Sequence, residues 1–226
     1  MLNEADLAAQ AGADLLIVGD FKLRPALPGE PEAPADAEAR WRTLLAHVRQ
    51  HFGGRLGFEL LMGQAVWPTP PAFLDAVDVI RIFWWSTLSG STHPPVPDLT
   101  AAAATLMDQQ LWPVAQKFKK PLYLSAAYYS AQGTATQCLK RADGQCYSFE
   151  SFAPDSVDKP PYALALQEQA DVYQALLTAV SRRPWIAGFS SDGYQPVVTL
   201  LDKSISVRGK PASFVLGTWY PLLTGR

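Results

Sequence analysis

A chain of 226 residues with 48% hydrophobic and 18% charged residues carries enough apolar material for a packed core and is too apolar to stay disordered. Its formal net charge is -2 and its Lys and Arg residues are scattered, which argues against a nucleic acid or a membrane surface as partner. The longest apolar runs, such as Leu15–Val18 and Ile82–Trp85, are far too short to cross a bilayer.

The chain opens with MLNEADLAAQ, which is polar and helical rather than basic then apolar, so it does not read as a signal peptide. It reads as the end of a helix running into a strand, and we expect the chain to begin inside a larger domain. Ala13–Asp20 is a continuous apolar run after Gly12, as a strand buried on both faces of a parallel sheet requires. A Pro-rich loop follows. Glu38–Phe52 then carries Trp41, Leu44, Leu45 and Val48 on one helical stripe, and Gly53 and Gly54 stop it. Arg55–Leu61 and Val77–Trp85 are the next strands. Leu99–Lys119 reads as a long helix that Pro113 must kink or split. Pro121–Ser130 is a strand, and a long loop spans Ala131–Pro161. Tyr162–Arg182 is a helix, Pro184–Tyr194 the last strand, and Pro211–Leu223 a final helix.

This is β then α, repeated about five times. Such alternation implies a parallel sheet with helical crossovers, as in open doubly wound sheets and in (β/α)₈ barrels. No GxGxxG or GxxxxGK[ST] follows a strand, so the nucleotide-binding versions lose support. No Gly-x-Ser-x-Gly elbow is present, which removes the serine hydrolase reading.

Five segments in order resemble strands four to eight of a retaining glycoside hydrolase barrel, the family 113 β-mannanase group in particular. AGADLLIVGDFKL is similar to the fourth-strand segment and VDVIRIFWWSTLSG to the sixth. WPVAQKFKKPLYLSAAYYSAQGTAT resembles the helix and seventh strand. QADVYQALLTAVSRRPWIAGFSSDGY and SVRGKPASFVLGTWY resemble the closing segments. The resemblance implies a single α/β domain over residues 1–226, a TIM-barrel-like parallel β/α repeat that lacks its first strands. Five strands cannot close an eight-strand barrel, so two sheet edges stay open to self-association or to another partner.

The resemblance also places the catalytic positions. Retaining glycosidases use two carboxyls about 5–5.5 Å apart. The acid/base position falls on Phe21 and the nucleophile position on Ala126, neither of which can do that chemistry. Ser190 and Ser191 stand where a sugar-stacking Trp is common. Three other carboxylates are candidates for a relocated site. Asp20 ends the first strand, and otherwise reads as a loop cap. Glu59 lies inside GFELL, and either faces a polar lumen or pairs with a cation such as Arg81. Asp192 ends the last strand, where Asp-Gly is also a turn signal. Glu150 lies in the long loop and could fold over the strand ends.

Trp67, Trp84, Trp85, Tyr128 and Tyr129 fall at or near strand C-termini and are candidates for stacking on sugar rings, or for plain packing. Trp84 and Trp85 are adjacent and must point to opposite faces. His47 and His51 share a helix face and read as solvated, His93 as a loop residue, and no metal or other cofactor is expected. Cys138 and Cys146, with seven residues between them, form a disulfide or remain free thiols. A bridge favours an exported protein. The expected protein is glycoside-hydrolase-like, degenerate in its retaining site and able to bind carbohydrate. The alternatives are an active glycosidase with relocated carboxylates, acting on a mannan-like β-linked polysaccharide, and a partial chain with no activity of its own.

Overall fold

The structure is a computed structural model that describes residues 1–62, 70–153, 156, 160–196 and 201–224. Helix α1 (Leu2–Gln10) leads into strand β1 (Leu15–Ile17), and α2 (Ala37–His51) crosses to β2 (Arg55–Met62). Strand β3 (Val79–Trp84) is followed by α3 (Val96–Leu106), a π-turn (Met107–Leu111) and α4 (Trp112–Phe118). Strand β4 (Leu122–Ala126), α5 (Leu166–Val180), β5 (Ile186–Ser191) and α6 (Pro211–Thr224) complete the chain. The sheet runs β1-β2-β3-β4-β5 with every neighbouring pair parallel. This is an incomplete TIM-like α/β half-barrel, as the β/α alternation implies.

Strand alternation sorts the side chains. Leu56, Phe58 and Leu60 of β2, Ile80, Ile82 and Trp84 of β3, and Leu122, Leu124 and Ala126 of β4 all join the buried core beneath the helices. Each large side chain so buried contributes about 2 kcal/mol. Glu59, Arg81 and Ser125 take the intervening positions and face the concave side. At the end of the first strand, Trp41 stacks on Phe73 at 5.0 Å and meets Phe58 edge-on. A Cβ on Gly19 would come within 2.7 Å of the Phe58 ring, so only glycine lets the chain leave β1 here.

The expected long helix is split. Five residues of π-turn separate α3 from α4 directly before Pro113. Pro113 has no N–H to donate, and the wider turn accommodates that loss. The 131–165 loop folds back on itself through the Ala131–Leu164 and Lys140–Cys146 bridges, and Cys138 and Cys146 form a disulfide. Its Leu139 and Phe152 bury Tyr129 in a second, smaller apolar cluster.

Within the described residues β1 and β5 are each paired on one side only. Beside the β5 edge runs α6, whose sequence PASFVLGTWYPLLT has no charged residue. Its Phe214 and Leu222 are 76% and 69% exposed. A tie of buried polar groups holds the start of α6. Lys210 Nζ lies 3.1 Å from the Asp202 carboxylate and donates to Ser130 Oγ at 2.8 Å and to the Ser204 carbonyl at 3.0 Å.

Candidate functional site

The concave face carries one polar hub. Glu59 and Arg81 are register partners on β2 and β3, and their side chains form an ion pair. Arg81 Nη2 also donates to Ser125 Oγ at 2.7 Å on β4 and lies 3.4 Å from Asp192 Oδ1 just past β5. One guanidinium therefore ties β2, β3 and β4 to the residue that follows β5. Glu59 is nearly buried, and its carboxyl is held above the ordinary carboxylate range. Desolvation is the main cause, and the charges of Asp192 and Asp20 add to it, while Arg81 and Lys22 oppose it.

Asp20 accepts a 2.8 Å hydrogen bond from the Lys22 backbone N–H and caps the short 3₁₀ turn Phe21–Ala26. Asp192 precedes Gly193, whose φ of 77° makes the turn that the Asp-Gly pair predicts. The Asp192 amide continues the sheet to the Ala126 carbonyl at 2.8 Å. Glu150 is also drawn in. Its own backbone amide and the Ser148 hydroxyl hold its carboxyl low, and the charge of Lys22 adds to this. Lys22 thus acts electrostatically on both Glu59 and Glu150.

Above this hub the strand ends are covered by aromatic rings. Phe21 packs on Phe83 at 5.5 Å, and Phe83 meets Phe149 of the long loop at 5.9 Å. Phe149 lies 4.5 Å from Trp85 and 5.3 Å from Tyr129, and Tyr129 lies 4.2 Å from Phe152. Phe21, at the position of the acid/base residue in the resemblance, is therefore half of an aromatic contact. Ala126, at the nucleophile position, is fully buried on the helix side of β4.

The sugar-stacking candidates divide sharply. Trp84 is buried among the helix-facing residues and donates through Nε1 to the Tyr128 hydroxyl at 3.0 Å. Tyr128, equally buried, donates to the Ser86 carbonyl at 2.7 Å. Burial drives the Tyr128 and Tyr129 hydroxyls far above their usual range. These three rings are core packing and expose no face. Trp85 points the other way, as its neighbour's burial demands, and remains half-buried with an Nε1 that has no acceptor among the described residues. Trp67 lies outside the described residues. Sequence reasoning missed Ser125, Lys22, Phe83 and Phe149. The alternation of β3 and β4 held a signal for Phe83 and Ser125, but none placed Phe149.

His47 and His93 are exposed, and His51 takes a structural position. His51 Nδ1 lies 2.8 Å from Asp6 Oδ1 and joins α2 to α1. Among the described residues no three His, Cys, Asp or Glu side chains come together as a metal site, and no helix is long and apolar enough to cross a membrane.

No family model matches the chain, and no curated protein sequence matches it. Solved structures do. A GH113 β-1,4-mannanase superposes with a TM-score of 0.66 at 23% identity, covering 100% of this chain and 60% of the mannanase. The GH113 β-mannanase AaManA from Alicyclobacillus acidocaldarius, in complex with ManMIm, gives 0.65 at 22% identity, covering 98% and 59%. A GH128 endo-β-1,3-glucanase from Amycolatopsis mediterranei, in complex with laminaritriose and laminaribiose, gives 0.53 at 14% identity, covering 95% and 76%. The chain has the fold of part of a glycoside hydrolase barrel and spans about 60% of the length of the mannanases it matches.

Proposed function

We propose that this chain is a glycoside-hydrolase-like, carbohydrate-binding protein that no longer hydrolyses glycosides at its ancestral site. The observation that carries this reading is the position of Arg81. A glycosidase needs two carboxyls flanking a gap that admits the scissile bond, and a water as well if it inverts. Here the guanidinium that pairs with Glu59 also reaches Asp192, so a cation stands between the two carboxylates best placed to work. Phe21 and Ala126 supply no carboxyl. The half-buried indole of Trp85 keeps part of its ring open to solvent at the strand ends, which supports contact with the apolar face of a sugar ring. The mannanases and the glucanase with the same fold lend a β-linked polysaccharide as ligand class.

Titration with manno- and gluco-oligosaccharides, followed by NMR, tests the reading. Ligand line-broadening without new anomeric signals is expected. New anomeric signals from wild-type protein would overturn the loss of hydrolysis.

One observation favours the second reading, an active glycosidase with relocated carboxylates. Glu59 is pushed up while Asp192 stands beside the same cation, and an acid with a raised pKa next to a second carboxylate is the pattern of an acid/base pair. In that case Glu59→Gln would abolish the new anomeric signals. The open β1 and β5 edges and the uncharged α6 support contact with further polypeptide, a second copy included. Sedimentation velocity over a concentration series would show a single monomer if that part were wrong.

A further inference from the structure

At the opposite end of the sheet from the Arg81 hub, the starts of β4 and β5 border an open groove of about 480 Å³. Trp112, Trp185, Lys119 and Lys120 line it, together with Pro121 and Pro184, which lead into the two strands. The two indoles lie 5.3 Å apart, tilted by 46°. That gap is too narrow for a ring to enter, and Trp112 is 39% exposed. This exposed indole is the first residue of α4 and lines the open groove.

Lys119 adds an independent observation. It ends α4 with φ 53° and ψ 39°, the left-handed conformation that glycine normally fills at a helix C-terminus. Its amide donates to the Ala115 carbonyl at 2.8 Å and closes the helix, which leaves the exposed side chain beside the groove. Among the described residues Lys119 has no ion-pair partner. Lys120 acts electrostatically on Asp75 and Asp78, which are already paired with Arg42 and Arg49.

We infer that this groove is a binding site for an acidic polysaccharide, with the pyranose ring of a uronic acid on Trp112 and its carboxylate on Lys119 and Lys120. The apolar C–H face of a pyranose suits an indole. The two ammonium groups supply charge complementarity that a neutral glycan would not use. The groove is open, so a polymer can pass through it. The inference does not depend on the strand-end reading, because no residue is shared between the two sites.

The test is a fluorescence and NMR titration of the whole chain with trigalacturonate, with mannotriose and a thymidine oligonucleotide as comparison ligands. Saturable binding of trigalacturonate that weakens with added salt is expected, with mannotriose far weaker. Trp112→Ala should weaken it about tenfold, and Lys119→Glu should remove its salt dependence as well as its strength. Trp85→Ala should leave it unchanged, which separates this groove from the strand-end site. Thermal melts establish that each variant is folded. Absence of saturation in folded wild-type protein would overturn the inference. So would equal binding of mannotriose, preference for the oligonucleotide, or full binding by Trp112→Ala.

Discussion

Arg81 and Glu59 face each other in register across β2 and β3, with Glu59 almost buried and Arg81 a little over one quarter exposed. Removing the cation strands a carboxylate in a desolvated place. Arg81→Met should therefore destabilise the chain at pH 7, by no more than about 3 kcal/mol because Arg81 is partly solvated. Urea unfolding measures this, and an unchanged midpoint would mean that the pair contributes nothing.

The pH dependence has a defined sign. Glu59 holds its proton to a higher pH in the folded chain than in the unfolded one. The folded state therefore binds more protons just above the usual glutamate range, and this group costs stability as pH rises through that window. Arg81→Met removes an opposing influence and should steepen the loss. Melting temperatures of wild type and Arg81→Met between pH 4.5 and 7 should diverge as pH rises. Parallel curves would exclude Glu59 as the titrating group.

The Lys210–Asp202 pair is more deeply buried than the Arg81 hub. Desolvation outweighs Asp202 and lowers the Lys210 ammonium from its usual range. Lys210→Met leaves Asp202 uncompensated and should cost about 3–5 kcal/mol. Lys210→Met combined with Asp202→Leu should cost less than Lys210→Met alone. A larger loss in the double variant would show that the hydrogen bonds to Ser130 and Ser204 matter more than the charges.

The disulfide closes a short loop next to the aromatic cover of the strand ends. In the chain-entropy picture, replacing both Cys138 and Cys146 by Ser should cost about 2–3 kcal/mol. Acrylamide quenching of tryptophan should increase as Phe149 and Phe152 lose their anchor. Unchanged quenching would mean that the ring contacts alone hold the loop.

Phe149→Ala removes the ring that lies on Trp85, Tyr129 and Phe83. Because Phe149 is only half-buried, the cost should be about 2 kcal/mol, below the range for a fully buried Phe. The same change frees a face of Trp85, so oligosaccharide binding at the strand ends should strengthen. Weaker binding would show that Phe149 itself touches the sugar.

The β/α alternation was legible because strand and helix segments differ in apolar period, as LLIV and VIRIF do from the Trp41–Val48 stripe, although the full burial expected of the first strand was not met: Leu15–Ile17 are only half-buried. The break in the helix was legible from Pro113, whose missing N–H has only a few structural solutions. Arg81 and Glu59 were readable as partners because a charge in an apolar strand needs an opposite one nearby. The aromatic residues were not. Tyr129 looks like a sugar platform only while the 131–165 loop is ignored, since nothing local says that Phe149 and Phe152 return to cover it, and Trp84 and Tyr128 turn instead into the core on the helix side. Nor does the Lys210 tie announce itself, since its partners Asp202 and Ser130 are brought together by two separate loops.

The row of rings from Phe21 through Phe83 to Phe149 is a clasp as well as a cover: it fastens the turn after β1 and the 131–165 loop to the end of β3. Phe21→Glu would set a carboxylate against the Phe83 ring, and Ala126→Glu would drive one into the buried layer on the helix side of β4. Placing carboxyls at these two positions is therefore a folding problem before it is a catalytic one.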